Sequence, residues 1–489
     1  MRERILELER AARPLEPGST RRRHLRNAAV ASTERFLRKL ATAPAYVEDD
    51  PGPGRGSIQG PAQYTGRLFD TPISEHGMPM HEAIDMLERD VVRPGGNPAS
   101  GGYLAYIPGG GIYHSALGDF IAAVTNKYAG VSFAGPGAVR LENMLLRWTA
   151  DLVGYPVGAA GNIASGGSIA NLTAIATARD AHELNGADYA RAVVYVTSQV
   201  HHSIDKALRI AGMQEVRVRH VAIDERYRMR ADALAEAIAA DRAAGLTPWL
   251  IIASAGTTDT GAVDPLDAIA DVAWREQCWF HVDAAYGGFF LLTEHGRALM
   301  RGIERSDSVV LDPHKGMFLP YGAGIVIVRD AAALIRTHRY TGAYMQDAVP
   351  DDPADVSPAD VSPELTKHFR ALRMWLPLAL LGTRPFTAAL DEKLLLARYF
   401  REEIERAGFE VGPEPDLSVV TYRWAPQGAS LDAANRRNRA IVENVRRDGR
   451  VFISSTMLDD RFTLRLAVLS FRTHLRTIDM ALDVLRAEV

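Results

Sequence analysis

Lys315 stands in SVVLDPHKG and Asp283 in CWFHVDAAYGG, 32 residues apart, each directly behind a short apolar run. A lysine is normally a surface residue, because burying an unpaired ammonium is costly. The neighbours of this one are Pro313, His314, Gly316, Met317 and Phe318, and no acidic residue lies within two positions. A desolvated lysine amine attacks aldehydes. Asp283 alone reads equally as a turn or helix-cap residue. If the two runs are neighbouring strands, however, an acid and an amine meet at adjacent strand ends. That pair suits pyridoxal phosphate: the amine forms the Schiff base, and the acid keeps the pyridine nitrogen protonated so that the ring can accept electrons.

The phosphate of such a cofactor needs a cradle. IASGGSIANLTAIATAR offers one, because Ser165, Gly166, Gly167 and Ser168 lead straight into a helix expected over residues 169–179. Backbone N–H groups at a helix N-terminus bind anions, and glycine lets the backbone approach closely. Many Gly/Ser loops only cap helices, so this segment gains weight from the lysine and the acid. SQVHHSIDKA puts His201 or His202 after the AVVYVT run. A histidine pair reads first as metal ligands or as a surface pair, but no third ligand of matching spacing follows, so no metal is expected. ASAGTTDTGAVDP places Thr257 and Thr258 at the end of another run, with hydroxyls that could reach a cofactor oxygen; otherwise it is a turn with an ordinary helix cap at Asp264.

The elements around these residues give them positions. From Ala192 onward short apolar runs (AVVYVTS, VRVRHVAI, WLIIASAG, CWFHVDAA, SVVLDP, GIVIV) alternate with helical segments such as IDKALRIAG, 230–244 and PLDAIADVAWREQ. This is the pattern of a buried, mostly parallel sheet flanked by helices, in which ligands collect at the carboxyl ends of the strands. Upstream, 2–12, 20–42 and 81–93 have helical spacing but no evident core of their own, so they are expected to pack on something else, a partner subunit being one option. Residues 43–60 are too polar and broken to form a core. Thr341 to Glu364 is acidic and Pro-rich, a functional or mobile loop. Helices resume over 365–381 and 386–407. The C-terminal part reads as a small α+β unit with strands in LSVVTYRW, RVFISS and TLRLAVLS, and helices over 431–449 and 473–489.

SGGSIAN, HHSIDKA, GTTDTGAVDP, HVDAAYGG and DPHKG occur in this order, together with YIPGGGIYHSALGDFIAAVTNKYAGV, ELTKHFRALRMWLPLALLGTRPF and FTLRLAVLSFRTH. From about Glu75 to the C-terminus the chain resembles the group II pyridoxal-phosphate-dependent decarboxylases, which include aromatic-L-amino-acid, histidine and glutamate decarboxylases. The resemblance implies a fold type I enzyme, like aspartate aminotransferase, working as a homodimer whose N-terminal helices wrap the partner. It implies a helical arm over 1–85, a large cofactor domain over 86–374 and a small domain over 375–489. By matching position, Lys315 would be the Schiff-base lysine, Asp283 the pyridinium partner and His201 the ring-stacking histidine. Gly166, Gly167 and Ser168 would hold the phosphate, with His314 near it. Thr258 would contact a cofactor oxygen or the substrate carboxylate, and Ala285 would pack under the ring. Ile169 and Gly316 depart from the family pattern, which has an acid and often a tryptophan there.

A further departure concerns the outcome of the reaction. Aromatic-acid decarboxylases carry a tyrosine on the loop before RALRMW, thought to protonate the substrate carbon. Residues 345–364 contain none, and Tyr344 stands at the start of that loop. Either Tyr344 or another group is the acid, or the outcome is aldehyde, as in related enzymes that lack the tyrosine. The leading expectation is decarboxylation of an L-amino acid to the amine. Aldehyde formation or another lyase reaction on the same fold is the alternative, and a cofactor-binding scaffold without catalysis is the reading outside enzymes. Tyr106, Ile107 and Phe133 lie in segments that build the substrate pocket in this family, and they point to an aromatic side chain.

Composition narrows the rest. At 489 residues the chain is long enough for two or three units, and its formal charge of −4 leaves no basic surface for a nucleic-acid backbone. One cysteine, Cys278, makes neither an internal disulfide nor a Cys-rich metal site. No apolar run reaches the roughly 18 residues that span a bilayer, and the N-terminus has no signal-peptide core. A cytoplasmic protein without nucleic-acid or membrane partners is expected. Only six residues are lysines, so few candidates exist for the imine.

Overall fold

The structure is a computed structural model of the 489-residue chain, and it describes residues 1–48, 71, 73–107, 109–340 and 356–489. Seven strands make the central sheet: β1 (Ala160–Ala164), β2 (Ala192–Val196), β3 (Arg217–His220), β4 (Thr247–Ser254), β5 (Trp279–Asp283), β6 (Ser308–Leu311) and β7 (Gly324–Val328). Their spatial order is β1-β7-β6-β5-β4-β2-β3. β7 runs antiparallel to both neighbours, and every other pairing is parallel. Helices cover both faces, which is why β2, β5, β6 and β7 are buried at every position. β3 is the exposed edge, and its alternation of arginine and valine reflects that place.

The sheet divides the core in two. Tyr195, Phe280, Val282, Val309 and Leu311 point to one face, with the helix Leu266–Glu276. Val194, Trp249, Trp279 and Val310 point to the other, against the helices Gly167–Ala181 and Ser203–Ile210. The alternation along β5 sends Trp279, His281 and Asp283 to this second face.

β1 is a strand that periodicity does not disclose. Its sequence Ala-Gly-Asn-Ile-Ala has low strand propensity. Gly161 is required by contact, since a Cβ there would sit 2.2 Å from the Val326 carbonyl oxygen of β7. Asn162 turns its side chain to Lys367, whose Nζ lies 2.6 Å from Asn162 Oδ1 and 2.7 Å from Glu142 Oε1. The helix expected from 365 is corrected here: Lys367 is drawn inward to this buried pair while Leu365, Thr366 and His368 stay exposed, and the helix starts at Arg370.

The second sheet has four antiparallel strands in the order Glu410–Val411, Val419–Arg423, Arg461–Ala467, Ser454–Leu458. Its third core segment begins later than RVFISS suggests, because Phe452 leaves the sheet to bridge Tyr103. The helices Leu431–Asp448 and Leu475–Arg486 pack with these strands in one core. At the N-terminus the helices Arg2–Ala12 and Ser19–Lys39 bury no residue, and Ile5, Leu8, Leu15 and Val30 are exposed. Among the described residues no helix is long and apolar enough to cross a membrane.

Candidate active site

β5 and β6 lie side by side and run parallel, with Asp283 paired to Val310. Asp283 ends β5, and Lys315 follows β6 on a single helical turn, Pro313–Gly316. The acid and the amine therefore meet at neighbouring carboxyl ends, as the sequence predicts. Gly166, Gly167, Ser168, His201, Thr258, Asp283, Ala285, His314 and Lys315 all line one cavity of about 400 Å³. Tyr344 lies outside the described residues. Tyr106 and Phe133 are exposed, and neither they nor Ile107 line this cavity.

Asp283 is 8% exposed. Its Oδ1 accepts from the Ala285 backbone N–H at 3.1 Å, and its Oδ2 accepts from Asn171 Nδ2 at 3.0 Å. Only donors face it, so it stands toward the cavity as an acceptor. Asn171 comes from the helix Gly167–Ala181, one turn past the glycines. Its Nδ2 also donates to Ser203 Oγ at 3.1 Å, and Ser203 Oγ lies 2.8 Å from His201 Nδ1. The Ser203 backbone N–H donates to the same nitrogen at 3.2 Å. Burial lowers the pKa of His201, against the opposing pull of Asp283, and so favours a neutral imidazole. The rings of His201 and His202 are 4.1 Å apart, and among the described residues no group of three His, Cys, Asp or Glu could hold a metal.

The lysine departs from the expectation of an unpaired amine. Lys315 Nζ lies 3.2 Å from Asp312 Oδ2. Asp312 is three positions away, one helical turn, and so falls just outside the window that suggested isolation. Asp312 is 2% exposed, and its Oδ1 is buried without a hydrogen-bond partner. His314 Nδ1 donates to the Ala323 carbonyl, which leaves Nε2 on the Asp312 side at 3.7 Å.

Opposite them, the helix Gly167–Ala181 points its N-terminus into the cavity. A Cβ on Gly167 would meet Asp312 Oδ2 at 2.9 Å, and one on Gly324 would meet the Gly166 carbonyl carbon at 2.4 Å. Side chains at these places would fill the cradle, which fits a phosphate held by backbone N–H groups. Thr258 is exposed at the cavity edge. Its backbone is held by Arg465, which donates to the carbonyls of Thr258 and, at 2.7 Å, Asp259, and to Ser454 Oγ at 2.8 Å. The Thr257 hydroxyl is used locally, bonded to Thr260 Oγ1 at 2.8 Å.

An acceptor for a ring N–H, an amine for an aldehyde and an anion cradle thus share one cavity, and this donor set fits pyridoxal phosphate. Asn171, Ser203, Asp312 and Arg465 were not singled out by sequence reasoning. Asn171 and Asp312 each lie within motifs that attracted attention, and the helical spacing from Gly167 and from Lys315 was the available signal.

The pyridoxal-dependent decarboxylase conserved domain matches residues 63–425. An aromatic-L-amino-acid decarboxylase of Bacillus atrophaeus is 35% identical over 403 residues, covering 82% of this chain and 84% of that protein. A phenylacetaldehyde synthase of Arabidopsis thaliana is 26% identical over 436 residues, covering 87% and 89%. The crystal structure of Oryza sativa TDC with PLP and tryptamine superposes with a TM-score of 0.87 at 25% identity, covering 97% of this chain and 98% of that one.

Proposed function

The chain belongs to the pyridoxal-dependent decarboxylase family and is a pyridoxal-phosphate-dependent amino acid carboxy-lyase, and from that premise we propose that its substrate is an aromatic L-amino acid and its product the amine. The observation that carries the reading is the placement of Asp283 and Lys315 at adjacent parallel strand ends in the cavity that receives the helix N-terminus. The substrate class is supported by the resemblance to the Bacillus enzyme.

Bound in the cavity, pyridoxal phosphate supplies an electron sink for the charge left when CO₂ departs. The residues divide the remaining work. Asp283 would accept the ring N–H and hold that nitrogen protonated, which would keep the ring electron-poor enough to take up the charge. Gly166, Gly167 and Ser168 would hold the phosphate with backbone N–H groups, with His314 beside it. His201 would pack against one face of the ring and Ala285 against the other. Lys315 would hold the cofactor through its amine and, when free, would be placed to carry a proton. Thr258 would contact a cofactor oxygen or the substrate carboxylate. We assign Tyr344 as the donor of the proton at the substrate α-carbon.

We further propose a homodimer. The N-terminal helices have no fully buried residue, and Ile112, Tyr113, Phe318, Phe386 and Phe471 line an apolar groove. Residues 1–85 would be the arm, 86–374 the cofactor domain and 375–489 the small domain. A cytoplasmic location is supported by the single, unpaired Cys278. Aldehyde formation is the second reading. It is favoured by the lack of tyrosine at 345–364 and by the likeness to the phenylacetaldehyde synthase. A panel of L-amino acids, with dihydroxyphenylalanine and diaminobutyrate, assayed for CO₂, amine, aldehyde and ammonia, decides. Amine with CO₂ from aromatic substrates supports the first reading, aldehyde with ammonia the second, and CO₂ from a non-aromatic substrate alone overturns the substrate class.

A further inference from the structure

Trp279, His281 and Asp283 share one face of β5, and the polar atoms beneath them form a continuous buried chain. Trp279 Nε1 donates to Ser308 Oγ at 2.8 Å. An indole N–H is a donor only, so Ser308 accepts there and its own proton is available to His281 Nδ1, 2.8 Å away. The other end is fixed independently. A carboxylate only accepts, so Asp283 obliges Asn171 to turn Nδ2 toward it, which sends Asn171 Oδ1 to His281 Nε2 at 2.9 Å. That oxygen also only accepts, so Nε2 must carry the proton.

The Asn171 end dictates the Nε2 proton, and in the neutral ring that burial favours Nδ1 is then bare and accepts from Ser308, so every bond donates toward Asp283. The second N–H of Asn171 goes to Ser203, whose own proton is then available to His201 Nδ1. The chain therefore branches, one arm to Asp283 and one to His201. It is sealed from solvent: His281 and Asn171 are each 1% exposed and Ser308 0%. Burial also lowers the pKa of His281, in keeping with a neutral ring that accepts on one nitrogen and donates on the other.

We propose that His281 is a positioning residue, protonated on Nε2 against Asn171 Oδ1, that fixes the Asn171 amide and through it aims the Asp283 carboxylate at the cofactor's ring nitrogen. It touches neither cofactor nor substrate. The proposal rests on the reading of the cavity as a pyridoxal phosphate site. A simpler role, gluing the helix Gly167–Ala181 to the sheet, would stabilise the fold without regard to the ring nitrogen.

The test compares two ligands on the refolded or cofactor-stripped full chain: pyridoxal phosphate and its 1-deaza analogue, in which the ring nitrogen is replaced by C–H. Wild type is expected to prefer pyridoxal phosphate by about tenfold or more, the worth of one charge-assisted hydrogen bond. In His281→Leu that preference is expected to fall to within about threefold, with affinity for the analogue little changed. His281→Gln keeps an N–H near the Nε2 position and is expected to restore most of the preference. Equal weakening of both ligands in His281→Leu, with the wild-type preference intact, overturns the relay and leaves a structural role. If His281→Leu has no cooperative melt, Ser308→Ala, which removes one oxygen, is judged by the same criterion: a preference reduced at least about threefold supports the relay, and an intact one overturns it. A wild-type protein without any preference overturns Asp283 as ring partner and the relay with it, so the two failures are told apart.

Discussion

Asp283→Asn changes one atom type and should produce two separable losses. In the native site the Ala285 N–H and Asn171 Nδ2 both donate to the carboxylate, at 3.1 and 3.0 Å. An amide offers one oxygen and one NH₂, so one of these donors must face another donor. The backbone N–H cannot turn. Flipping the Asn171 amide would set its Nδ2 against His281 Nε2–H, and reversing the histidine tautomer to relieve that would leave the Ser308 hydroxyl proton without the Nδ1 that accepts it. One buried donor therefore stays unpaired, which costs about 1–3 kcal/mol. Separately, loss of the anion opposite the ring nitrogen removes a preorganised electrostatic contact, typically about 10²- to 10³-fold in kcat. Urea melts of the cofactor-free protein read the first loss, and CO₂ release at saturating cofactor and substrate reads the second. A variant within threefold of wild-type kcat would refute the role of Asp283. An unchanged melt would refute the hydrogen-bond accounting.

Three further outcomes are expected. Lys315→Ala should abolish steady turnover and the visible absorbance of lysine-bound cofactor; sustained turnover would remove the lysine from the mechanism. Lys367→Met leaves Glu142 buried without its cation and should destabilise the fold by about 3–5 kcal/mol, while Lys367→Met with Glu142→Leu should recover much of that loss in a denaturant melt. The pH dependence of stability follows from His281, whose folded pKa lies below its unfolded value of about 6.5. The unfolded chain then binds the extra proton as pH falls through that value, so this contribution is complete above it and is lost toward acid, by up to about 1.4 kcal/mol per pH unit. The stability gap between wild type and His281→Gln should accordingly narrow from pH 7.5 to pH 5, and a gap that widens contradicts the neutral assignment.

Most of the sheet was legible because six of its seven strands fall in short runs alternating with helices, and four of them, β2, β4, β5 and β6, lead to chemistry-bearing residues. β1 was not, since its glycine and asparagine answer to tertiary demands: close approach to Val326 and a bond to Lys367. The helix before RALRMW failed at its start for the same reason, as the Lys367 side chain is turned inward to Glu142 and Asn162. In the site, Lys315, Asp283, His201 and the glycine cradle were readable from type and position relative to strand ends. Asp312 was missed because pairing was judged by adjacency, whereas a helical turn brings the third residue back. The relay could not be read at all. Trp279 and His281 look like core residues of an apolar run, and only the cross-strand placement of Ser308 and the overlying Asn171 shows what their nitrogens do.

The most direct measurement is to reduce the cofactor-loaded protein with borohydride, digest it and locate the pyridoxyl group by mass spectrometry. The account predicts a single modified lysine, Lys315, in the peptide carrying DPHKG. Modification at any of the other five lysines, or none in a preparation that releases CO₂ from an amino acid, would contradict it.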